Sequence, residues 1–235
     1  MHLLDAIRDA FLLLLSGDAD LWGIIWLSIK TTLLALLIAA PLAVLLGYLI
    51  AARSFAGRRI LIWLVQASMS LPTVLIGLLL YLTLSRQGPL GDLRWLFSQS
   101  AIVAGQVLIS LPVLTAFTLA AVQAADLRVA ETAVTLGASP WRVMRTVLHE
   151  VRYGVMAAVI SGFGRVISEV GCAIMVGGNI AGETRTITTA IALETSKGEF
   201  AQGIALGIVL VTIALAINAF MVAVQGDPRA ARGAA

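Results

Sequence analysis

The stretch Glu131–Glu150, ETAVTLGASPWRVMRTVLHE, interrupts an otherwise apolar chain and decides how the rest is read. Its approach, AADLRVAETAVTL, has helical spacing and stops at Gly137. A glycine just past a helix end takes the left-handed backbone angle that other residues avoid. Ser139-Pro140 then suits the N-cap and first turn of a second helix. In that helix Trp141, Met144, Leu148 and Val151 share one side, while Arg142, Arg145, His149 and Arg152 hold much of the remainder. The pattern predicts two short helices folded at a glycine, lying outside the lipid between two spans. Such a loop offers a rigid, shaped surface to another protein.

Around this stretch the composition is that of a membrane protein. Of 235 residues, 60% are hydrophobic and 12% charged, with a mean hydropathy of +0.98. A bilayer core is crossed by about 20 apolar residues of helix. Stretches at about 21–51, 60–84, 101–125, 154–178 and 203–225 meet that length, and the loops between them leave no room for a soluble domain. The expected fold class is therefore all-α and polytopic, with five transmembrane helices. Residues 1–20 read as an N-terminal interfacial helix ended by Ser16-Gly17-Asp18, 126–152 as a loop outside the lipid, and 226–235 as a tail. The first residues carry acids and little positive charge, which argues against a secretory signal. The one cysteine, Cys172, lies within the fourth span, so neither a disulfide framework nor a metal cluster is expected. The basic balance, pI about 9.5, arises from residues flanking the spans, so positive-inside topology is expected and nucleic acid is not.

Trp22 and Trp26 open the first span as an aromatic belt would, and Lys30 is near enough to that end to snorkel. Spans two and three carry Ser70-Leu71-Pro72 and Ser110-Leu111-Pro112. A proline within a helix removes one backbone bond and predicts a kink, serving shape alone or a moving hinge. Gly177-Gly178-Asn179-Ile180-Ala181-Gly182 cannot be a regular helix, and Thr184 to Lys197 reads as a short one closed by Gly198. Gly203 and Gly207 have the spacing that permits close helix contact, within the subunit or between copies.

Counting Lys and Arg sets the expected orientation. With the Glu131 loop in the cytoplasm, nine basic residues are cytoplasmic: Arg53, Arg58, Arg59, Arg128, Arg142, Arg145, Arg152, Arg229 and Arg232. Five are external: Arg8, Arg86, Arg94, Arg185 and Lys197. The bias predicts the N-terminus outside and the C-terminus in the cytoplasm.

Glu131-Thr132-Ala133, three residues, then Gly137 resembles the EAA-x3-G signature of binding-protein-dependent ABC importer permeases. Thr132 stands where that pattern has Ala, and Val147-Leu148-His149-Glu150 where it has apolar-x-Leu-Pro. The similarity covers about 21 to 225. Gly178-Asn179-Ile180-Ala181-Gly182-Glu183-Thr184-Arg185-Thr186 looks like the GNI-x-G-x-T-x-T segment of the molybdate and tungstate permeases. Glu194-Thr195-Ser196-Lys197-Gly198-Glu199-Phe200 is similar to the tungstate-type branch. The resemblance implies a type I ABC importer permease fold in the cytoplasmic (inner) membrane. It also implies a homodimer of this subunit, a dimer of cytoplasmic ABC ATPase subunits, an external oxyanion-binding protein and surrounding membrane lipid. Tungstate is the implied cargo, with molybdate or another oxyanion as the alternative. Glu131, Thr132, Ala133 and Gly137 are then the coupling residues.

The chain has no P-loop, so ATP hydrolysis belongs to a partner, and neither a catalytic residue nor a cofactor is expected. An intramembrane serine protease would need a His within a span, and His2 and His149 lie in polar segments. A non-transporting scaffold is the remaining class, and it leaves the glycine-broken external segment without a purpose. Arg165 and Glu169 stand four apart in span four, where a charge facing lipid costs about 2.5–3.5 kcal/mol on insertion scales. Two readings stand open for them: a structural ion pair, or an arginine lining the path of a dianion with Glu169 orienting it. Asn179, Thr184, Arg185 and Thr186 are further candidates for the path or gate, with Thr188 and Thr189 extending the hydroxyl cluster. Their donors suit an oxyanion, and a solvated loop with helix caps is the plainer reading.

Overall fold

The structure is a computed structural model that describes residues 3–225. All regular structure among them is helical. In chain order the helices are α1 Leu3–Leu15, α2 Ala19–Ala52, α3 Arg58–Met69, α4 Thr73–Leu84, α5 Gln99–Gln123, α6 Leu127–Thr135, α7 Pro140–Glu150, α8 Arg152–Ile167, α9 Gly171–Gly177, α10 Ile187–Lys197 and α11 Phe200–Gln225. A 3-10 turn at Gly91–Leu93 interrupts the loop before α5. The expected tail 226–235, with Arg229 and Arg232, lies outside the described residues, as do Met1 and His2.

Three helices are long and apolar enough to cross a membrane alone: α2, α5 and residues 200–220 of α11. The second and fourth expected spans are each divided. Helices α3 and α4 meet at a bend of 97°, and α8 and α9 at 60°. At the first bend Pro72 is no kink inside a helix but the residue before α4, with φ −60° and ψ 124°. Proline offers no N–H and drives the residue before it away from helical angles, so the chain restarts beyond it. Pro41 and Pro112 nevertheless sit inside continuous helices.

The chain forms two compact units. Among the described residues the first comprises 3–35, Leu71–Ile109 and Phe163–Ala216. In it α4 lies against α9, and Leu80, Leu84, Ile102, Ile109, Cys172 and Val176 form one core. Two glycines permit that approach: a Cβ on Gly77 would fall 2.8 Å from the Cys172 Cα, and one on Gly105 would fall 2.5 Å from its Sγ. A second core joins Leu21, Ile24 and Ile25 of α2 to Ile187, Ala190 and Leu206. Lys30, expected to snorkel, donates to the Gln99 side chain at 3.0 Å, and Gln99 donates to the Glu183 carbonyl at 3.1 Å.

Among the described residues the second unit comprises Leu36–Ser70, Ser110–Gly162 and 217–225. Small residues set its helix contacts: Gly47 of α2 against Thr118 of α5, Gly154 of α8 against Ala121, and Gly162 against Leu114. This is how membrane helices pack when lipid is as apolar as leucine. On α2 several large side chains point away from these contacts; Leu37 is 73% exposed, as a lipid-facing residue would be. Gly207 of the expected GxxxG spacing has nothing within 4 Å of a Cβ, so no close helix contact among the described residues uses it.

Candidate functional site

The Glu131 stretch folds as two short helices hinged at a glycine. Asp126 caps α6, its carboxylate accepting from the Arg128 N–H at 2.9 Å. The helix ends in a Schellman motif: the Gly137 N–H donates to the Val134 carbonyl at 2.9 Å and the Ala138 N–H to the Ala133 carbonyl at 3.0 Å. Gly137 has φ +78°. Ser139 occupies the N-cap of α7, but its hydroxyl makes no capping bond, and Pro140 supplies the first turn. Helix α6 packs on α7, whose Met144 and Val147 are buried. Glu131, Thr132 and Gly137 remain exposed, and Ala133 is half-buried. Glu131 makes no ion pair among the described residues, so its charge is available to a partner.

The ending of α7 is achieved without the proline that the resemblance anticipates. Val151 leaves the helix at φ −92° and ψ 18°. The Arg152 guanidinium reaches back to the His149 carbonyl at 3.2 Å and stacks 4.6 Å over the Tyr153 ring.

The intramembrane pair sits at the break between α8 and α9. Arg165 closes the last turn of α8, and Glu169 lies beyond the helix end. Arg165 Nη1 donates to Glu169 Oε2 at 3.1 Å, and the Cys172 N–H donates to Oε1 at 3.1 Å. The backbone carbonyl of Glu169 accepts from the Thr188 hydroxyl at 2.6 Å. One residue thus receives three donors where the helix ladder stops. The two side chains differ in exposure, 39% for Arg165 and 3% for Glu169.

The glycine-broken segment forms a tight turn before α10. Gly178, Asn179 and Gly182 all have positive φ, +71°, +51° and +76°. Thr184 ties the turn, its hydroxyl donating to the Gly177 carbonyl and accepting from the Ile180 N–H. Thr186 is the N-cap of α10 in a reciprocal capping box with Thr189. These threonines are buried rather than solvated, and their hydroxyls bond to backbone groups or to one another. Asn179 donates to the Thr189 carbonyl at 3.3 Å, while its Oδ1 is buried without a partner, as is Nε of Arg185. Arg185 lines a cavity of about 420 Å³ together with Asp20, Glu194 and Lys197. Glu194, buried, is paired with Lys197 at 3.1 Å.

Three participants escaped the sequence reading. Ser28, buried in α2, accepts the Ile187 N–H at 2.7 Å and so anchors α10 across 159 residues. Asp20 and Glu194 reach the cavity of Arg185. A lone serine in an apolar run carries no local signal, whereas a buried Glu three residues before Lys197 is a spacing that could have been read.

Residues 39–231 match the model of the family described as binding-protein-dependent transport system inner membrane component. The tungstate uptake system permease protein TupB of Campylobacter jejuni is 38% identical over 221 residues, 92% of this chain and 91% of that protein. TupB of Peptoclostridium acidaminophilum is 35% identical, covering 96% of this chain and 99% of its own. Among solved structures, a chain of the bacterial alginate ABC transporter in complex with an alginate pentasaccharide-bound periplasmic protein superposes with a TM-score of 0.73. It is 20% identical and covers 89% of this chain and 80% of its own.

Proposed function

Because the chain belongs to the family of binding-protein-dependent transport system inner membrane components, we propose that it is the membrane-spanning subunit of an ATP-driven importer of tungstate. The observation that carries this reading is the similarity to two tungstate uptake permeases over more than nine-tenths of the chain. The subunit works as a homodimer, with two cytoplasmic ATPase subunits and an external oxyanion-binding protein. It is not itself an enzyme. The Glu131 loop faces the cytoplasm, the N-terminus is outside, and tungstate reaches the path from the binding protein.

In this scheme each element has a mechanical or chemical part. The exposed Glu131 and the rigid α6–Gly137–α7 turn receive the motion of the ATPase and pass it to α8. A ligand or partner shifts a conformational equilibrium only through contacts that differ between the states. Arg165 offers its guanidinium to the anion while the buried Glu169 fixes its direction. Arg185, with an unpartnered Nε, and Asn179, with an unpartnered Oδ1, offer further polar groups to the path. Thr184 and Thr186 act by shaping the turn that carries them.

The test is uptake of labelled tungstate by cells that lack their own oxyanion importers and are supplied with this subunit, its ATPase and its binding protein. Uptake should need all three and should resist competition by excess sulfate. Equal competition by molybdate would widen the substrate to both anions. Uptake independent of the ATPase would end the ATP-driven reading, and no uptake with all three present would favour a non-transporting scaffold.

A further inference from the structure

At the end of α2 an open cleft of about 600 Å³ is lined by apolar side chains and one cation. Leu46, Leu49, Phe55 and Leu61 form its apolar lining, and Arg53 and Ser54 supply its polar groups. Leu46, Phe55 and Leu61 are 42%, 46% and 37% exposed, so the chain itself leaves them uncovered. We propose that this cleft seats one anionic glycerophospholipid, its phosphate on Arg53 and Ser54 and one acyl chain along Leu46 and Leu49.

The charges favour an anion. Between Leu36 and Ser70 the sequence has three arginines and no Asp or Glu. Arg58 is committed to the end of α2, its Nε donating to the Ile50 carbonyl at 2.7 Å and its Nη2 reaching the Ala51 carbonyl. Arg53 and Arg59 have no ion pair among the described residues. A phosphate diester completes such a site, because arginine pairs two oxygens at once. Choline or ethanolamine headgroups carry a cation that this cluster repels.

Depth favours a lipid over a soluble partner. Leu46 lies seven residues before Arg53, about 10 Å along the helix at 1.5 Å per residue. Trp63 of α3 is 64% exposed and two residues from Leu61, the kind of aromatic that settles at a membrane interface. Helix α3 has no buried residue at all. A cleft that is charged at the interface and apolar below it has the polarity profile of a phospholipid.

Native mass spectrometry of the purified full chain tests this, with phosphatidylglycerol or phosphatidylcholine of identical acyl chains added to the detergent. One phosphatidylglycerol should be retained per subunit, and phosphatidylcholine should not. Arg53→Gln with Arg59→Gln should lower retention on the order of ten- to thirty-fold. Leu46→Trp keeps both cations, fills the cleft and should also abolish retention. In the wild-type protein, phosphatidylglycerol carrying a photoreactive acyl chain should label residues between Leu46 and Leu61, a result independent of how any variant folds. Equal retention of the two lipids, unchanged retention in the arginine variant, or labelling elsewhere would overturn the proposal. So would displacement by glycerol phosphate alone, or crosslinking of Leu61 to a co-purified ATPase in place of lipid.

Discussion

Arg165 and Glu169 share one contact of 3.1 Å but not one environment, because the carboxylate is buried and the guanidinium is partly open. Arg165→Lys keeps the charge and loses the planar fork, so the protein should assemble while tungstate uptake falls by roughly tenfold. Arg165→Met leaves the Glu169 carboxylate with only the Cys172 N–H. Removing one partner of a buried pair costs about 3–5 kcal/mol, and the exposure of Arg165 lowers this to about 1–3 kcal/mol. Less assembled complex is expected. Glu169→Gln added to Arg165→Met removes the lone charge and keeps an acceptor for Cys172, so assembly should recover while uptake stays low. Full uptake in that double variant would make the pair purely structural. Gly137 gives a second prediction at this scale. A Cβ there meets nothing within 4 Å, yet φ is +78°, so the cost of a side chain is conformational alone. Gly137→Val should weaken coupling of ATP hydrolysis to uptake, at about 1–2 kcal/mol of backbone strain. Gly137→Asn, which tolerates the left-handed region, should keep most of it. Comparable loss in both would refute the backbone explanation.

Among the elements, the contact of α4 with α9 depends on missing atoms. Gly77→Ala would place its Cβ 2.8 Å from the Cys172 backbone, and overpacking of this kind costs about 1–3 kcal/mol. Thermal unfolding in detergent should show a lower midpoint for Gly77→Ala and none for Gly164→Ala, where a Cβ meets nothing. Equal midpoints would mean that α4 and α9 can part without cost. The same pair of elements shows what sequence could and could not tell. The long apolar runs of α2, α5 and α11 were legible because length and hydropathy are local properties, and so was the hinge at Gly137. The breaks were not. Ser70-Leu71-Pro72 ends a helix and Ser110-Leu111-Pro112 lies inside one, so an identical tripeptide takes two fates. Ser110 is fully buried, whereas Ser70 and Leu71 are exposed, and burial is decided by distant residues. At the second break the Glu169 carbonyl is satisfied by Thr188, 19 residues onward. The threonines were legible as capping residues, but not as buried ones, because burial again depends on helices remote in sequence.

For the whole molecule the number of bilayer crossings rests on the two bent pairs, each of which either spans or turns back. Five crossings put the two termini on opposite faces, and so do three, whereas four put them on one face, so locating the ends alone does not separate five from three. Internal positions do decide. Ala56, Gln87, Ser139 and Ser196 are all exposed and flank, in order, the α3–α4 pair, α5 and the α8–α9 pair. With Cys172→Ala removing the one native thiol, single cysteines at these four sites can be challenged with an impermeant thiol reagent added outside intact cells. Five spans with the Glu131 loop in the cytoplasm predict labelling at Gln87 and Ser196 and protection at Ala56 and Ser139. The basic residues agree with this, because Arg53, Arg58, Arg59, Arg142 and Arg145 cluster beside the protected sites and cytoplasmic loops favour Lys and Arg. If α3–α4 turned back, Ala56 and Gln87 would react alike; if α8–α9 did, Ser139 and Ser196 would. Labelling of Ser139 from outside would place the coupling loop beyond reach of any cytoplasmic ATPase and would remove the mechanism proposed for it.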